Sequence, residues 1–600
     1  MKYTIPYLKV LLIFSLFTAC SNENDGSSDH TEEYNAIQQV INEGNLLLHT
    51  EEQGGQTIFT FENREVTIPT ETIETIREDV ENWKTILTLV NKSELNIPTL
   101  GKSLHLTSKN IQVNPTGYAP LSAQLTISFP VEGKLKVCIK GKNGHQNDLS
   151  HLFSKIGYNH QEYIHGLYPN CENKIYITFT DKNGKERLTD SVTVTTTTPD
   201  DLVPDFFAKI QVKTSHPDQM EPGLTIVQDM GGGEYDAHRP YMLDSDGDVR
   251  WYLWLRNHPE LNISAHTGFK RLKNGNFLSG DSKTGNLFEF DMVGNLIKKW
   301  NIKGKGYTFH HEVTEMPNGN LLAAVTKDNH KNSLGEYTKF DFIIEVNRES
   351  GEIVTEWDLN KSLDSTRDAL ISIQEAEGFK QNWAHSNAVL YSPEDDCIIV
   401  SNRYQGLIKL TRDNKLNWFL TPHRGTQKLQ YALLTPLDQS GQKIVDADVL
   451  DGNKEHPDFD WEWGGHCPVF LPNGHILLFD NGYRRRHKEI DLYGTEGYSR
   501  AVEYAIDAKN MTVKQVWEYG HHERGRNCYA VALSSVQYLP QKDHVLFGPG
   551  VGTPNLNGGG GKIVEVDRKT KEVVYEVHLS RPGYMVFHRV ERIPLYPDNL

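Results

Sequence analysis

Met316-Pro317-Asn318-Gly319, followed by the apolar Leu321-Leu322-Ala323-Ala324-Val325, reads as a strand end, a tight turn and a second strand. The same punctuation returns at Leu272-Lys273-Asn274-Gly275, Ser392-Pro393-Glu394-Asp395, Leu471-Pro472-Asn473-Gly474, Leu539-Pro540-Gln541-Lys542 and Ile593-Pro594-Leu595. Between these turns lie outer hairpins whose second strand ends in an aromatic: Asp248-Val249-Arg250-Trp251, Leu296 to Trp300, Ile353 to Trp357, Leu416-Asn417-Trp418, Val513 to Trp517 and Val573-Val574-Tyr575. A supersecondary unit repeated at this period predicts a closed or stacked array. The last inner strand, Phe587 to Pro594, has no outer hairpin after it, and the first outer hairpin, near Ile226 to Leu255, has no inner strand before it. Chain ends that complete each other close a ring. The expected architecture is all-β: a six-bladed β-propeller over residues 205–600, with four strands per blade and the aromatics packed between blades.

Outward from the ring, residues 104–200 carry short alternating runs (Ala123 to Phe129, Lys134 to Lys140, Lys174 to Thr180, Ser191 to Thr196) separated by Lys142-Asn143-Gly144 and Lys182-Asn183-Gly184. This pattern predicts a small N-terminal β-sandwich, joined to the ring by Thr198-Pro199-Asp200-Asp201. Residues 21–103 read as a polar tether, Ser21 to Glu33, and a small segment with a strand near Thr57 to Thr67 and a helix over Thr70 to Leu89. In residues 1–20, Lys2 and Lys9 flank the start of an apolar run, Val10 to Ala19, shorter than the roughly 20 residues of a bilayer span. That is an export signal. Phe17-Thr18-Ala19-Cys20 resembles a lipobox, although Phe17 stands where Leu is usual, and makes Cys20 the expected lipidation site. The expectation is an exported bacterial lipoprotein, periplasmic or outer-membrane associated, touching the membrane only through its anchor.

The 600 residues suffice for a large core, and 48 Gly with 26 Pro fit a turn-rich globular chain. Lys plus Arg number 62 against 79 Asp plus Glu, a net charge of −17 with no basic block, so no nucleic-acid partner is expected. Of six cysteines, Cys138, Cys171, Cys397, Cys467 and Cys528 form no CxxC pair, and Cys138 with Cys171 is a candidate disulfide within one predicted domain.

The innermost strand of a propeller blade begins at the central channel. Six residues before each turn proline, or before Lys273 in the first repeat, stand Thr267, His311, Asn387, His466, Ser534 and His588. None is apolar, which argues for a ligand site. His385 lies two residues before Asn387, on the same strand face, and Arg403 follows in the next strand of that blade. Histidines, an asparagine and an arginine make a donor-rich pocket suited to a tetrahedral oxyanion.

At these residues the chain resembles the bacterial arylsulfate sulfotransferase family, which uses an aryl sulfate rather than a nucleotide donor. The resemblance is carried by His311-Glu312-Val313, His385-Ser386-Asn387, Ser401-Asn402-Arg403, Phe459-Asp460-Trp461-Glu462-Trp463 running to His466, Tyr498 to Tyr504, and Asn114 to Leu121 upstream. It implies that His466 takes the sulfuryl group from a phenolic sulfate and passes it to a second phenol, through a sulfohistidine and ping-pong kinetics. It further implies that His311, His385 and Arg403 hold the sulfuryl oxygens, that Asn387 orients them, that no cofactor or metal is needed, and that the protein is a homodimer. His311 rather than the adjoining His310 keeps the spacing shared with His466. Some members carry a short disulfide loop before the nucleophile, but Asp446 to Gly465 contains no cysteine. An imidazolium beside the nucleophile is expected to protonate the leaving phenolate.

Two other classes fit parts of the pattern. A histidine-bound metal enzyme would use the same imidazoles, but Arg403 repels a divalent cation. A non-catalytic propeller lipoprotein would bind an anionic ligand at the same ring. Asp244-Ser245-Asp246-Gly247-Asp248 has Leu255 at the twelfth position of a calcium loop and reads as a hairpin turn, and Gly558 to Gly561 before Lys562 fails the P-loop spacing. Arg484-Arg485-Arg486-His487 and His521-His522-Glu523-Arg524 read as solvated loops or channel rims, while Tyr404, Trp461, Trp463 and Tyr498 are candidate aromatics of the channel mouth.

Overall fold

Six antiparallel sheets, one per repeat, account for most of the chain in a computed structural model that describes residues 39, 47–61, 64–70, 110–199, 202, 206–230, 239–261, 268–367, 380–488, 496–551, 560–581 and 585–596. Cys20, the export signal, the tether, Thr267 and all of the expected helix except Thr70 lie outside the described residues. Blade 1 is closed by the C-terminal strand Phe587–Ile593, which pairs antiparallel with Leu224–Asp229. Blades 2 to 6 begin at the innermost strands Lys270–Arg271, Tyr307–Glu315, Ser386–Ser392, His466–Phe470 and Ser535–Leu539. The chain ends therefore complete one blade, as the repeat pattern requires.

The recurring aromatics explain how the blades lock. The indole N–H of Trp251 donates to Met292 O at 2.8 Å, that of Trp300 to Arg348 O at 2.8 Å, that of Trp357 to Thr411 O at 2.9 Å and that of Trp517 to Arg568 O at 2.8 Å. Tyr575 Oη donates to Asp244 O at 3.2 Å and closes the series from blade 6 to blade 1. Each acceptor sits in an outer region of the following blade, so one ring both fills the cleft between sheets and satisfies a backbone carbonyl. Trp418 packs into the cluster shared with blade 5.

Two blades depart from four strands. Lys209–Ser215 adds to the outer edge of blade 6 against Val573–Ser580, and Thr435–Leu437 adds in parallel to Thr512–Lys514 on blade 5. Both additions cover an edge that would otherwise expose unpaired backbone groups.

The predicted sandwich is built around one long strand, Ser122–Ile139, where the sequence suggests two. Its first half pairs with Ile111–Val113 and Gly157–His165, its second with Leu149–Leu152 and Glu172–Asp181. Arg250 fixes this sheet to blade 1, donating to Gly166 O at 2.9 Å, Asn147 O at 3.1 Å and Tyr168 Oη at 3.0 Å. Cys138 and Cys171 are both free. Cys138 lies opposite Tyr176, and the five-residue offset to Cys171 is about 16 Å of strand, beyond disulfide reach. Residues 47–69 form a separate three-stranded sheet, Leu47–Gln53, Gln56–Phe61 and Glu65–Pro69, where a single strand was expected.

Candidate active site

The heads of the innermost strands are not regular β-structure. Pairing with the second strand slips between Phe309 and Val313, between Ser386 and Ala388, and between His466 and Val469. At these breaks non-glycine residues take left-handed backbone: His311 at φ 56°, His385 at 55°, Cys467 at 52° and, in blade 6, Ser534 at 79°. A bulge of this kind turns side chains away from the sheet normal, and its strain is held by the surrounding ring.

His466 is buried and its tautomer is set by its neighbours. Nδ1 lies 2.7 Å from Asn481 Oδ1 and 3.0 Å from Gly464 O. Asn481 Nδ2 donates to Ala530 O at 2.7 Å and Leu533 O at 3.3 Å, which fixes its oxygen toward the imidazole. Both partners of Nδ1 are acceptors, so Nδ1 carries the proton and Nε2 keeps its lone pair. Burial, and after it the Arg403 guanidinium, push the imidazole down to about 3, so it is neutral at pH 7. The segment before it is equally constrained. Gly464 has φ 72°, and a Cβ there would meet Tyr483 Cβ at 3.0 Å and Arg403 Cγ at 3.7 Å. Glu462 Oε2 accepts from Gly465 N at 2.8 Å, while Asn387 Nδ2 and Ser401 Oγ each donate to Gly465 O at 2.9 Å.

The other predicted residues gather around this imidazole. His311 and His385 meet edge to face with ring centroids 4.9 Å apart, and His588 lies 6.5 Å from His311. Arg403 N donates to His385 O at 3.0 Å; its guanidinium stacks on Tyr483 at 4.4 Å and donates to Val531 O at 3.2 Å, while Nε is buried without a hydrogen-bond partner among the described residues. His310 and His311 share one hydrogen bond, Nδ1 to Nδ1, at 2.9 Å. Burial, with His385 and His310 adding to it, holds His311 well below the usual imidazole range. An imidazolium at His311 is therefore not favoured in the unliganded site. Asn387 Nδ2 gives one of its two N–H groups to Gly465 O and so ties its strand to the segment before His466.

Several supports were not singled out from the sequence. Asn481 directly follows the strand Ile476–Asp480, just as Arg403 directly follows Cys397–Asn402, so the Arg403 position counted across blades would have found it. Arg485, expected to be solvated, is buried and joins Asp460 at 2.6 Å to Asp480 at 2.7 Å. Asp480 Oδ1 then accepts from Trp463 N at 2.9 Å, bracing the irregular segment that leads to His466. Trp461 and Trp463 are buried in the core and do not line the mouth. The aromatic wall is Phe340, 5.3 Å from the His385 ring, Tyr404, also 5.3 Å from it, and Tyr483 beside Arg403. Tyr498 instead stacks on His521 at 3.7 Å. Below the site Lys270 pairs with Glu591 at 2.9 Å and Glu312 at 3.7 Å, and Arg589 pairs with Glu312, so these charges are mutually compensated. Asp244 Oδ1 accepts from Asp246 N and Asp248 N, and Oδ2 pairs with Arg250, the pattern of a hairpin turn.

The chemistry this arrangement supports is nucleophilic attack by Nε2 on an anionic centre held by Arg403 and imidazole N–H groups. Asn481→Leu removes one of two acceptors holding the His466 tautomer. Turnover should fall on the order of 10²-fold, less than the roughly 10⁴-fold loss known for a wholly wrong tautomer, because Gly464 O remains. Steady-state kinetics with an aryl sulfate check this, and a wild-type kcat would show that Asn481 has no positioning role.

Comparison with known proteins names the family. The profile described as "Arylsulfotransferase (ASST)" matches residues 209–585, and "Arylsulfotransferase Ig-like domain" matches residues 110–199. The chain is 30% identical over 545 residues to arylsulfate sulfotransferase AssT of Escherichia coli O6:H1, covering 78% of this chain and 89% of that protein. It is 29% identical over 546 residues to the protein of the same name from Lelliottia amnigena, with the same coverage of 78% and 89%. Among solved structures, the Dos1 propeller is matched with a TM-score of 0.26 at 10% identity, over 63% of this chain and 76% of that one. The chain belongs to the arylsulfotransferase family and is a sulfotransferase.

Proposed function

We propose that this sulfotransferase works through a sulfohistidine at His466, with a phenolic sulfate as donor and a phenol as acceptor. The observation that carries the reading is the Nδ1–H tautomer of a buried, neutral His466, which leaves Nε2 as the nucleophile. In the first half-reaction Nε2 bonds to sulfur, the S–O bond to the aryl group breaks, and the phenolate leaves. The ring becomes a cationic N-sulfonated imidazole that keeps its Nδ1 proton. Asn481 Oδ1 and Gly464 O accept that proton's hydrogen bond and stabilise the positive ring. In the second half-reaction the acceptor oxygen attacks sulfur, its proton passes to solvent, the S–N bond breaks and neutral imidazole departs. His311, His385 and Arg403 bind the equatorial sulfuryl oxygens, Arg403 with a fixed charge and the imidazoles as hydrogen-bond donors. Phe340, Tyr404 and Tyr483 offer faces to the aryl rings. No cofactor enters either step. The Lys2-to-Cys20 segment supports an exported, lipid-anchored location for the enzyme.

Release of a chromogenic phenol should be much faster with an acceptor phenol present, because water is a poor second substrate. Equal rates with and without acceptor, with free sulfate as product, would identify a sulfatase. No turnover at all would favour an anion-binding lipoprotein.

The acid limb of the sulfonation step offers a second check. An unperturbed histidine titrates near 6.5, whereas His466 is lowered to about 3, so the neutral nucleophile persists as pH falls and is lost only on passing through the lowered value. Single-turnover rates of phenol release should therefore show no loss centred near pH 6.5. A limb centred there would contradict a desolvated His466.

A further inference from the structure

We propose that Glu518, His521 and His522 form a divalent-metal site on the edge of blade 5, separate from the sulfuryl-transfer site. The strand Thr512–Tyr519 ends one residue after Glu518, and the short helix His521–Arg524 follows Gly520. Glu518 Oε1 lies 3.7 Å from His521 Nδ1 and 4.0 Å from His522 Nε2, and the three donor atoms all lie within 4.8 Å of one another. These gaps are too long for hydrogen bonds and close to the spacing of ligands around an ion. Bonds of about 2.0–2.1 Å in a tetrahedral zinc site give ligand edges of about 3.3 Å, so the two gaps from Glu518 must close by about 0.4 and 0.7 Å when an ion binds. The His522 ring stacks on His521 at 4.0 Å and must turn off that stack to aim Nε2 at the ion, which a side chain 77% exposed can do.

The backbone that carries these donors is held in place. Gly520 turns the chain at φ 122°, and a Cβ there would lie 2.6 Å from Ser499 O, so the reversal needs glycine. Glu523 Oε2 accepts from Gly520 N at 3.0 Å and Glu523 pairs with Lys571 at 2.6 Å, fixing the helix over the strand end. The His521 ring is stacked between Tyr498, at 3.7 Å, and His522, at 4.0 Å.

The nearest cation does not consume the carboxylate. Arg500 Nη1 and Gln515 Nε2 are both bound to Oε2, leaving Oε1 turned toward the imidazoles. Arg500 is also paired with Asp480 at 2.8 Å, so its charge has a second counterion. Two imidazoles and one carboxylate suit zinc, nickel or copper and not magnesium or calcium, which take oxygen sets.

Zinc binding to the full chain, measured by calorimetry in a non-coordinating buffer, tests the site. One zinc equivalent is expected for the wild type and for His466→Asn, and loss of that equivalent for His522→Ala and for the double variant His521→Ala/His522→Ala. Because His522 is exposed, its substitution should leave aryl sulfate turnover unchanged, which controls for folding. Cobalt gives an independent readout: a ligand-field band in the wild type that is absent from His522→Ala. No zinc bound by the wild type, or an equivalent that survives the double variant, overturns the proposal. So does an equivalent lost in His466→Asn, which would place the metal among the inner-strand imidazoles.

Discussion

His466→Asn should abolish turnover, lowering kcat on the order of 10⁴-fold or more, the scale on which enzymes lose a covalent nucleophile. Asparagine keeps a polar group at the strand head but has no ring nitrogen in the place of Nε2, so the S–N bond cannot form. The loss should appear in both half-reactions. Phenol release without acceptor, which in the wild type should stop at one equivalent per site, should vanish. Exchange of the sulfuryl group between a sulfated and a free phenol should vanish with it. Donor binding should persist, because Arg403, His311 and His385 come from other blades and do not depend on the His466 ring for position. Retention of the unfolding transition separates lost chemistry from lost fold. A variant with wild-type exchange would remove the histidine from the covalent path.

Arg403→Ala should bind donor yet transfer the sulfuryl group on the order of 10²-fold or more slowly, the usual cost of deleting one transition-state donor. The guanidinium lowers the His466 imidazole and stacks on Tyr483, so it acts on both His466 and the site wall. Its removal leaves the oxyanion with neutral donors alone, and the deficit should fall mainly on kcat. Arg403→Lys restores charge but not the planar stack, and should recover only part of the rate. A loss confined to KM would instead make Arg403 a ground-state binding group.

The ring was legible because its period is written in turns and aromatics. Each Pro-Asn-Gly-type turn needs its residue types, and each outer aromatic has a carbonyl to reach in the next blade, as Trp300 has in Arg348 and Trp357 in Thr411. The turns also hide a tie that spacing does not announce: Asn274 and Asn276 donate to Glu289, and Asn318 and Asn320 to Glu345, from the third strand of the same blade. The site was legible where equivalent positions carry unusual residue types, as at His311, Asn387 and His466. It was not legible where geometry overrides type. Left-handed backbone at His311, His385 and Cys467 has no glycine to mark it. Trp461 and Trp463 adjoin the nucleophile in sequence but point into the core, Trp461 donating to Val449 O at 2.7 Å. Asn481 acts through a single hydrogen bond that only the fold brings to His466. Arg485 lies in a basic run that looks solvated, and its burial follows from Asp460 and Asp480, 25 and 5 residues away in the chain.

The most direct test is peptide mass spectrometry of enzyme quenched with an aryl sulfate in the absence of acceptor, handled in mild alkali because an N-sulfonated imidazole is acid-labile. A sulfuryl adduct on the peptide containing His466, discharged when a phenol is added before the quench, is the predicted result. An adduct on His311 or His385 instead, or no adduct on any histidine while transfer proceeds at full rate, would contradict it.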